Sequence, residues 1–416
     1  MIDEERRIVS RRFHERPDDS WTIDGALASG AYETLRVVLA KGDPDDVQEQ
    51  VKLSGLRGRG GANFSTGQKW SFLPADLFPR YLVVNGDEGE PSTFKDRMLV
   101  ERDPHQLIEG IVVSAYAIRC NQAFVYLRGE FALGYDRLTQ ALDEARAKGF
   151  VGTNILGSGF DLEIVVHRGA GAYICGEESA LIESLEGERG VPRIKPPFPA
   201  VEGLYAKPTV VNNVETLINV PLIIEMGGDA YARIGTEGST GPRLFCLSGH
   251  VARPGVYEVE FGKTLGDLLE MAGGVPGDRA IRAILLGGAA GVFVGPDALT
   301  MPLTFEATRA AGATLGSGVI MVFDETTDLV DTLRRIAQFF RDESCGQCVP
   351  CRVGTVRQEE LLARLAAGSR VRSRDEEVAL LREIGQAMRD ASICGLGQTA
   401  SSAIESALRL PDMVAL

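Results

Sequence analysis

Three cysteines at two-residue spacing, Cys345, Cys348 and Cys351 in ESCGQCVPCRVGT, and a fourth, Cys394 in ICGLGQT, constrain this chain more than any other feature. Thiols that close cannot easily pair with one another in disulfides, whereas convergent thiolates suit a metal centre in a reducing compartment. Cytoplasmic localisation is therefore expected. The fold must bring together two loops that lie 43 residues apart, counted from Cys351 to Cys394. From Thr326 onward, Leu329, Val330, Leu333, Ile336, Ala337 and Phe340 recur at helical spacing. EELLARLAAG then ends on a glycine, SRDEEVALLREIGQAM opens with a capping-box pattern from Ser373 to Glu376, and TASSAIESALRL closes the set. A four-helix bundle is predicted over 326–416, with the triple-cysteine loop between its first two helices and Cys394 between its last two. Four thiolates would satisfy tetrahedral zinc. A CxxCxxC run with a distant fourth cysteine is more typical of a [4Fe–4S] cluster, whose irons need ligands fanned around a cube. A purely structural cysteine set is the remaining alternative.

The N-terminal half carries a second constraint. LSGLRGRGGANFSTGQKWSF, from Leu53 to Phe72, is too glycine-rich for a helix and too charged for a core strand. Bare backbone at Gly58, Gly60 and Gly61 lets an anionic ligand approach N–H groups. Arg57, Arg59 and Lys69 can neutralise phosphate, and Phe64 and Phe72 can lie against a planar ring. A structural turn is the competing explanation. The stretch is not the usual G-x-G-x-x-G fingerprint in a βαβ setting. HRGAGAYICGEES follows a predicted strand ending at His167 and precedes a helix starting near Glu177, whose N-terminal amides favour phosphate. Glu177 and Glu178 also suit the positive end of that helix without any ligand. VVNNVETL supplies Asn212, Asn213 and Thr216, either as ligand groups or as turn and cap residues.

Apolar runs alternate with helical repeats up to about residue 238, so an α/β unit is predicted over 1–238, Rossmann-like but atypical. Its elements include a helix bearing Leu35, Val38 and Leu39 and a strand from Tyr81 to Val84 followed by an acidic turn at Asn85–Glu90. A hairpin around Pro254–Gly255, a short helix and the strands AILLGG and VIMVF predict a β-grasp (ubiquitin-like) unit over 239–325. The net charge of −14 argues against nucleic-acid or membrane-surface binding, and no apolar run is long enough to insert into a membrane. The charged start, MIDEERRIVSRRFHERPDD, does not read as a secretory leader. Four histidines, His14, His105, His167 and His250, are spread along the chain, which argues against a histidine metal site or a serine-type triad.

Five segments in fixed order, GLRGRGGANFSTGQKWSF, NGDEGEPSTFKDR, GAGAYICGEESALIESLEGERGVPRIKPPFPA, PTVVNNVETL and ESCGQCVPCRVGT, resemble the NADH-binding, FMN-containing 51-kDa-type subunits. Such subunits belong to respiratory complex I, NAD-dependent formate dehydrogenases and NAD-reducing hydrogenases. The resemblance runs from about residue 35 onward. Asn63, Ser65 and Ser92 depart from the glycine, proline and glycine usual in that family. The resemblance implies that Gly58, Gly60, Lys69, Asn85, Asp87, Gly176, Asn212, Asn213 and Thr216 hold FMN. It places NAD(H) against Gly61, Phe64, Phe72, Glu90, Tyr173, Glu178 and Lys195, with Glu177 beside them, and a [4Fe–4S] cluster on Cys345, Cys348, Cys351 and Cys394. A solvated loop cation is the competing explanation for Lys195. The implied activity is exchange of hydride between NAD(H) and FMN followed by passage of single electrons through the cluster, with no acid–base residue required. CRVG in place of CREG suggests the β subunit of a soluble NAD-dependent formate dehydrogenase. The complex I and hydrogenase subunits are the alternatives, and a flavin-free iron–sulfur adaptor is the non-enzyme alternative. The implied partners are a large catalytic iron–sulfur subunit, of the molybdenum or tungsten formate dehydrogenase α type, and a [2Fe–2S] thioredoxin-like module.

Overall fold

In the computed structural model, which describes residues 7–368 and 371–410, the alternating runs of the N-terminal half form a four-stranded parallel sheet. Strands β1 (Tyr81–Gly86), β2 (Gln122–Leu127), β3 (Glu163–Arg168) and β4 (Thr209–Asn213) lie in the order β3-β2-β1-β4. The apolar runs of β1 and β2 are continuous rather than alternating because both faces of the sheet are covered. Helices Pro104–Ala117, Ala132–Ala147 and Val214–Met226 pack through Ile108, Leu138 and Leu217 on one side. Val83, Phe124, Tyr126 and Val211 point to the other side and share a core with the C-terminal helices. The predicted Leu35 helix spans Glu33–Lys41 and buries Leu35, Val38 and Leu39. The strand order reverses at β1 and β4, where Asn85 pairs with Asn213 and Val84 with Asn212. A crevice at the carboxyl ends of strands at such a reversal is the usual ligand site of parallel sheets.

A two-residue ladder, β5 (Gly235–Thr236) with β6 (Ser239–Thr240), leads into a five-stranded mixed sheet. It contains β7 (Pro242–Gly249), β8 (Gly255–Glu260), β9 (Ile281–Leu286), β10 (Val292–Val294) and β11 (Val319–Asp324), in the order β10-β9-β11-β7-β8. Only β11 and β7 run parallel. The predicted hairpin at Pro254–Gly255 is the β7–β8 turn. The three-residue β10 was not predicted, being too short to show an alternation. The N-terminal arm packs here: Glu258 on β8 accepts the backbone N–H groups of Ile8, Val9 and Ser10 at 2.7–2.8 Å. The sequence expectation for residues 1–6 lies outside the described residues.

The C-terminal region differs from the four predicted helices. It has helices Leu329–Glu343, Val349–Ala366 and Arg374–Ala391 and then two short ones, Gly395–Thr399 and Ser402–Ala407. The predicted cysteine loop is shorter than expected, because Cys348 is the N-cap of the second helix and Cys351 lies in its first turn. A proline at the start of a helix fits there, since its missing N–H has no intrahelical partner. The last predicted helix, 399–410, is shorter in the structure, Ser402–Ala407, and the predicted loop before it forms a short helix of its own, Gly395–Thr399. A Cβ at Gly397 would lie 2.8 Å from Cys351 Cβ. No helix among the described residues is long and apolar enough to cross a membrane.

A buried charge cluster joins the two sheets. Lys95 is fully enclosed, and its Nζ lies 2.8 Å from Asp96 Oδ1 and 2.8 Å from Glu215 Oε2. Glu215 Oε1 accepts the N–H of Leu244 on β7 at 3.0 Å. Removing one partner of a buried ion pair leaves an uncompensated charge and costs about 3–5 kcal/mol. Lys95→Met should therefore lower the unfolding free energy by about that amount, read as a shift in the denaturant midpoint. An unshifted midpoint would show that the cluster does not stabilise the fold.

Candidate functional site

The crevice is built from four loops. Gly58 N–H donates to Phe64 O at 2.8 Å and Thr66 N–H to Leu56 O at 2.9 Å, closing the glycine stretch into a narrow loop. Gly61 has φ +116°, a conformation that side chains rarely adopt. A Cβ at Gly60 would stand 3.1 Å from Asn213 Cβ, and one at Gly176 would stand 3.3 Å from Asp87 O. Backbone is thus bared where these loops meet.

The three cations of the glycine stretch have different fates. Arg59 is completely buried, donating to Thr240 O (2.9 Å) and Pro242 O (3.1 Å) with its guanidinium over the Phe261 ring. Arg57 lies over the Phe305 ring at 5.1 Å. All three cations were expected to neutralise phosphate; Arg59 is instead sealed in the interior against the second sheet, and Arg57, half-buried, packs on the Phe305 ring. Lys69 stays at the crevice, with Nζ 2.8 Å from Glu178 Oε2. Lys195 is no free loop cation: its Nζ lies 2.8 Å from both Glu178 Oε1 and Glu177 Oε1. Glu177 caps its helix, accepting Ser179 and Ala180 N–H at 2.9 and 3.0 Å. Burial alone would raise the pKa of Glu178, but Lys69 and Lys195 outweigh it and bring it to about 2. The crevice therefore holds fixed, mutually neutralised charges rather than a titrating base.

The polar residues at the strand ends divide their work. Asn85 Nδ2 donates to Gly176 O at 2.8 Å, joining the loops after β1 and β3. Asn212 Oδ1 accepts Trp70 Nε1–H at 2.9 Å. Asn213 caps the Val214–Met226 helix and donates to Asp96 Oδ2 at 2.5 Å. Thr216 is buried behind the glycine loop, and its Oγ1 accepts the Arg59 N–H at 2.8 Å. Glu90 bridges the two sheets: Oε2 accepts the Tyr173 hydroxyl and Oε1 accepts Ala290 N–H, both at 2.9 Å. Phe64 and Phe72 are about half exposed on the rim, with ring centroids 5.9 Å apart. Asp87 is the exception: both carboxylate oxygens are buried and have no hydrogen-bond partner. Burial raises its pKa to about 7, with Arg128 opposing and Glu130 and Glu343 adding to the rise. A buried carboxylate with two free acceptors fits a ligand rich in hydroxyl donors, such as a ribityl chain.

The four predicted cysteines come together. Cys345, Cys348, Cys351 and Cys394 surround one pocket, completed by Ile174, Pro192, Ile393 and Leu396 and by the polar Ser344 and Gln347. Among the described residues, no three Cys, His, Asp or Glu side chains converge tightly enough to hold a single ion. Thiols ringed around a pocket suit a multi-iron cube, whereas zinc draws its sulfurs to about 2.3 Å from one point. Leu396 and Gly397 N–H groups face the Cys394 sulfur, and Arg189 Nη2 donates to Cys345 O at 2.8 Å. Sequence reasoning missed Glu343, which accepts Tyr173 N–H at 2.9 Å. A glutamate two residues before a cysteine carries no sequence signal for that contact.

The Nuo51 FMN-binding domain family matches residues 51–222. The NADH-ubiquinone oxidoreductase-F iron-sulfur binding region matches 331–410, and the SLBB domain matches 244–291. The NADH-quinone oxidoreductase F chain of Streptomyces coelicolor is 50% identical over 94% of this chain and 87% of its own length. The corresponding F 2 chain of Rhizobium meliloti is 48% identical over 92% of this chain and 90% of its own. The chain belongs to the NADH- and FMN-binding 51-kDa-type subunit family. It is an NAD-dependent oxidoreductase subunit whose cofactors are FMN, a [4Fe–4S] cluster and NAD(H). A solved NAD+-reducing [NiFe]-hydrogenase in the H2-reduced state superposes with TM-score 0.80 at 42% identity, covering 88% of this chain. This chain spans 61% of that hydrogenase chain's length.

The Asp87 environment has a measurable sign. Its pKa is raised on folding, so the folded protein holds a proton that the unfolded chain releases between about pH 4 and pH 7, and stability falls as pH rises through that window. In cofactor-free protein, Asp87→Asn should raise the melting temperature clearly at pH 8 and much less at pH 5. Equal shifts at both pH values would show that Asp87 is not a strained carboxyl.

Proposed function

We propose that this chain is the NADH-oxidising subunit of a complex-I-type NADH–quinone oxidoreductase, passing electrons to partner subunits on the cytoplasmic side. The observation that carries this reading is its near full-length likeness to the F chains of NADH-quinone oxidoreductases. The formate dehydrogenase reading rested on Val353 of CRVG. Val353 is 45% exposed on the Val349–Ala366 helix and does not line the cysteine pocket, so it says nothing about the chemistry. The hydrogenase alternative keeps support from the TM-score of 0.80. The strand order of the mixed sheet, which counted from β7 runs 4-3-5-1-2, supports its reading as a β-grasp unit.

Bound FMN supplies the change from a two-electron hydride to single electrons, and the cluster supplies a one-electron relay. The protein's part is binding and orientation. Gly60, Gly61 and Gly176 leave backbone within reach of FMN and NAD(H), and Asp87 offers two free acceptors to hydroxyl groups. Lys69 and Lys195, held by Glu178 and Glu177, fix positive charge without mobile protons. Phe64 and Phe72 present ring faces at the entrance for a planar base. The four cysteines would hold the cluster in a pocket that Ile174 helps to line.

Purification of the native assembly tests the reading. A quinone-reducing activity with NADH and co-purification with other respiratory subunits are expected. Co-purification with a formate-oxidising or hydrogen-oxidising subunit would overturn the complex I assignment. Cys348→Ser should abolish the iron–sulfur signal while NADH–ferricyanide activity partly survives, because that acceptor takes electrons on the flavin side; stoichiometric zinc with no iron in anaerobically prepared protein would refute the cluster. Gly61→Ala places a side chain at φ +116°, a strain of about 1–3 kcal/mol. It should raise KM for NADH about ten-fold or more, at 1.4 kcal/mol per ten-fold, with less effect on FMN content. Lys69→Ala should do the reverse and shed FMN. Unchanged FMN content and NADH affinity in both variants would reduce the stretch to a surface turn.

A further inference from the structure

The turn Tyr173–Gly176 faces two sites within four residues. Ile174 forms part of the wall of the cysteine pocket. Gly176, two positions on, has its carbonyl bound by Asn85 and lies against the Asp87 backbone, in the flavin cradle. The place of this turn therefore sets how far the cradle stands from the cysteines. On the cradle side it is held by Asn85. On the other side it is held by the helix Leu329–Glu343, which runs straight into the cysteine loop. Glu343 Oε2 accepts Tyr173 N–H at 2.9 Å, and Phe339, one turn earlier, packs on the Tyr173 ring at 5.1 Å between centroids. Cys345 follows Glu343 by two residues.

We propose that Glu343 is a positioning residue that clamps the Tyr173–Gly176 turn to the cysteine loop and thereby sets the gap across which electrons reach the cluster. This rests on the reading of the chain as an FMN- and cluster-bearing NADH-oxidising subunit. Glu343 touches neither reacting centre; it acts through the Tyr173 amide. Its role depends on the reach of the acceptor oxygen and not on its charge. Electron transfer slows as the gap widens, so a turn released from its clamp slows the crossing. NADH would leave as NAD+ after giving a hydride, two electrons and a proton, to the flavin side; both electrons would cross to the cluster one at a time and leave it for the one-electron acceptors of the partner subunits.

The test uses the native assembly carrying Glu343→Gln, Glu343→Asp or Glu343→Ala, each checked for folding. Gln keeps the reach and loses the charge, Asp keeps the charge and loses the reach, and Ala loses both. FMN content, anaerobic bleaching of the flavin by NADH, and the freeze-quenched cluster EPR signal are measured on the same samples. Expected for Asp and Ala are full FMN and cluster content, flavin bleaching close to that of the unaltered protein, and a cluster signal rising several-fold more slowly. Expected for Gln is a near-unaltered rise. Either reach-losing variant suffices if the other fails to fold. A cluster signal rising at the unaltered rate in Asp or Ala would overturn the proposal, as would Gln being as slow as they are, or loss of the cluster itself. Absence of both flavin and cluster from the unaltered assembly would instead overturn the functional reading, and this role with it.

Discussion

The ammonium of Lys95, enclosed between Asp96 and Glu215, is the interaction on which the rest of the site depends. Taking three charges out of water costs several kcal/mol each, so the cluster persists only because its geometry satisfies them. It joins the helix that follows β1, the helix that follows β4 and, through Leu244 N–H, the first long strand of the second sheet. The Asp96 carboxylate also accepts the Asn213 amide, so the end of β4 is held to the helix that follows β1. The two lips of the crevice are thereby locked at one spacing.

The second sheet acts as a brace for the loops of the crevice. Ala290 N–H binds Glu90, the Ser317 hydroxyl lies 3.1 Å from that of Thr93, and buried Arg243 donates to Gly316 O beside the glycine loop. Arg59 enters the same interior and stacks over Phe261. Positive charge that could have gathered at the crevice is spent inside, on the join between sheets. What remains at the crevice is a compact alternation of Lys69, Glu178, Lys195 and Glu177 with little freedom to reorganise. Fixed dipoles and charges of that kind favour a reaction that moves charge without moving side chains.

A hydride-to-electron converter makes little demand for acid–base residues and a strict demand for distance. The structure answers in those terms. Its buried, unpartnered carboxylate, Asp87, sits in the crevice, four thiols ring a pocket, and one short turn separates the two. The cysteine pocket is itself a tertiary product: Cys348 and Cys351 sit at one helix start and Cys394 at another, brought together where Gly397 lets two helices touch.

Much of this was legible in the sequence. The 3.6-residue period of Leu329–Phe340, the apolar runs of β1 and β2, and the spacing of four cysteines depend on local geometry, which residue order alone determines. Bare backbone at Gly60 and Gly61 was legible for the same reason. The partners of charged groups were not. Arg59 and Lys69 stand ten residues apart in one glycine-rich stretch, yet one is sealed inside and the other faces Glu178, 109 residues away. Glu343 gave no sign of its bond to Tyr173, 170 residues earlier. The short helix Gly395–Thr399 stands where the sequence suggested a loop, with Gly397 packed close against Cys351. Residue order decided the elements and the donor set. Long-range packing decided which charges paired, because a charge leaving water takes whichever counter-group the fold brings to it.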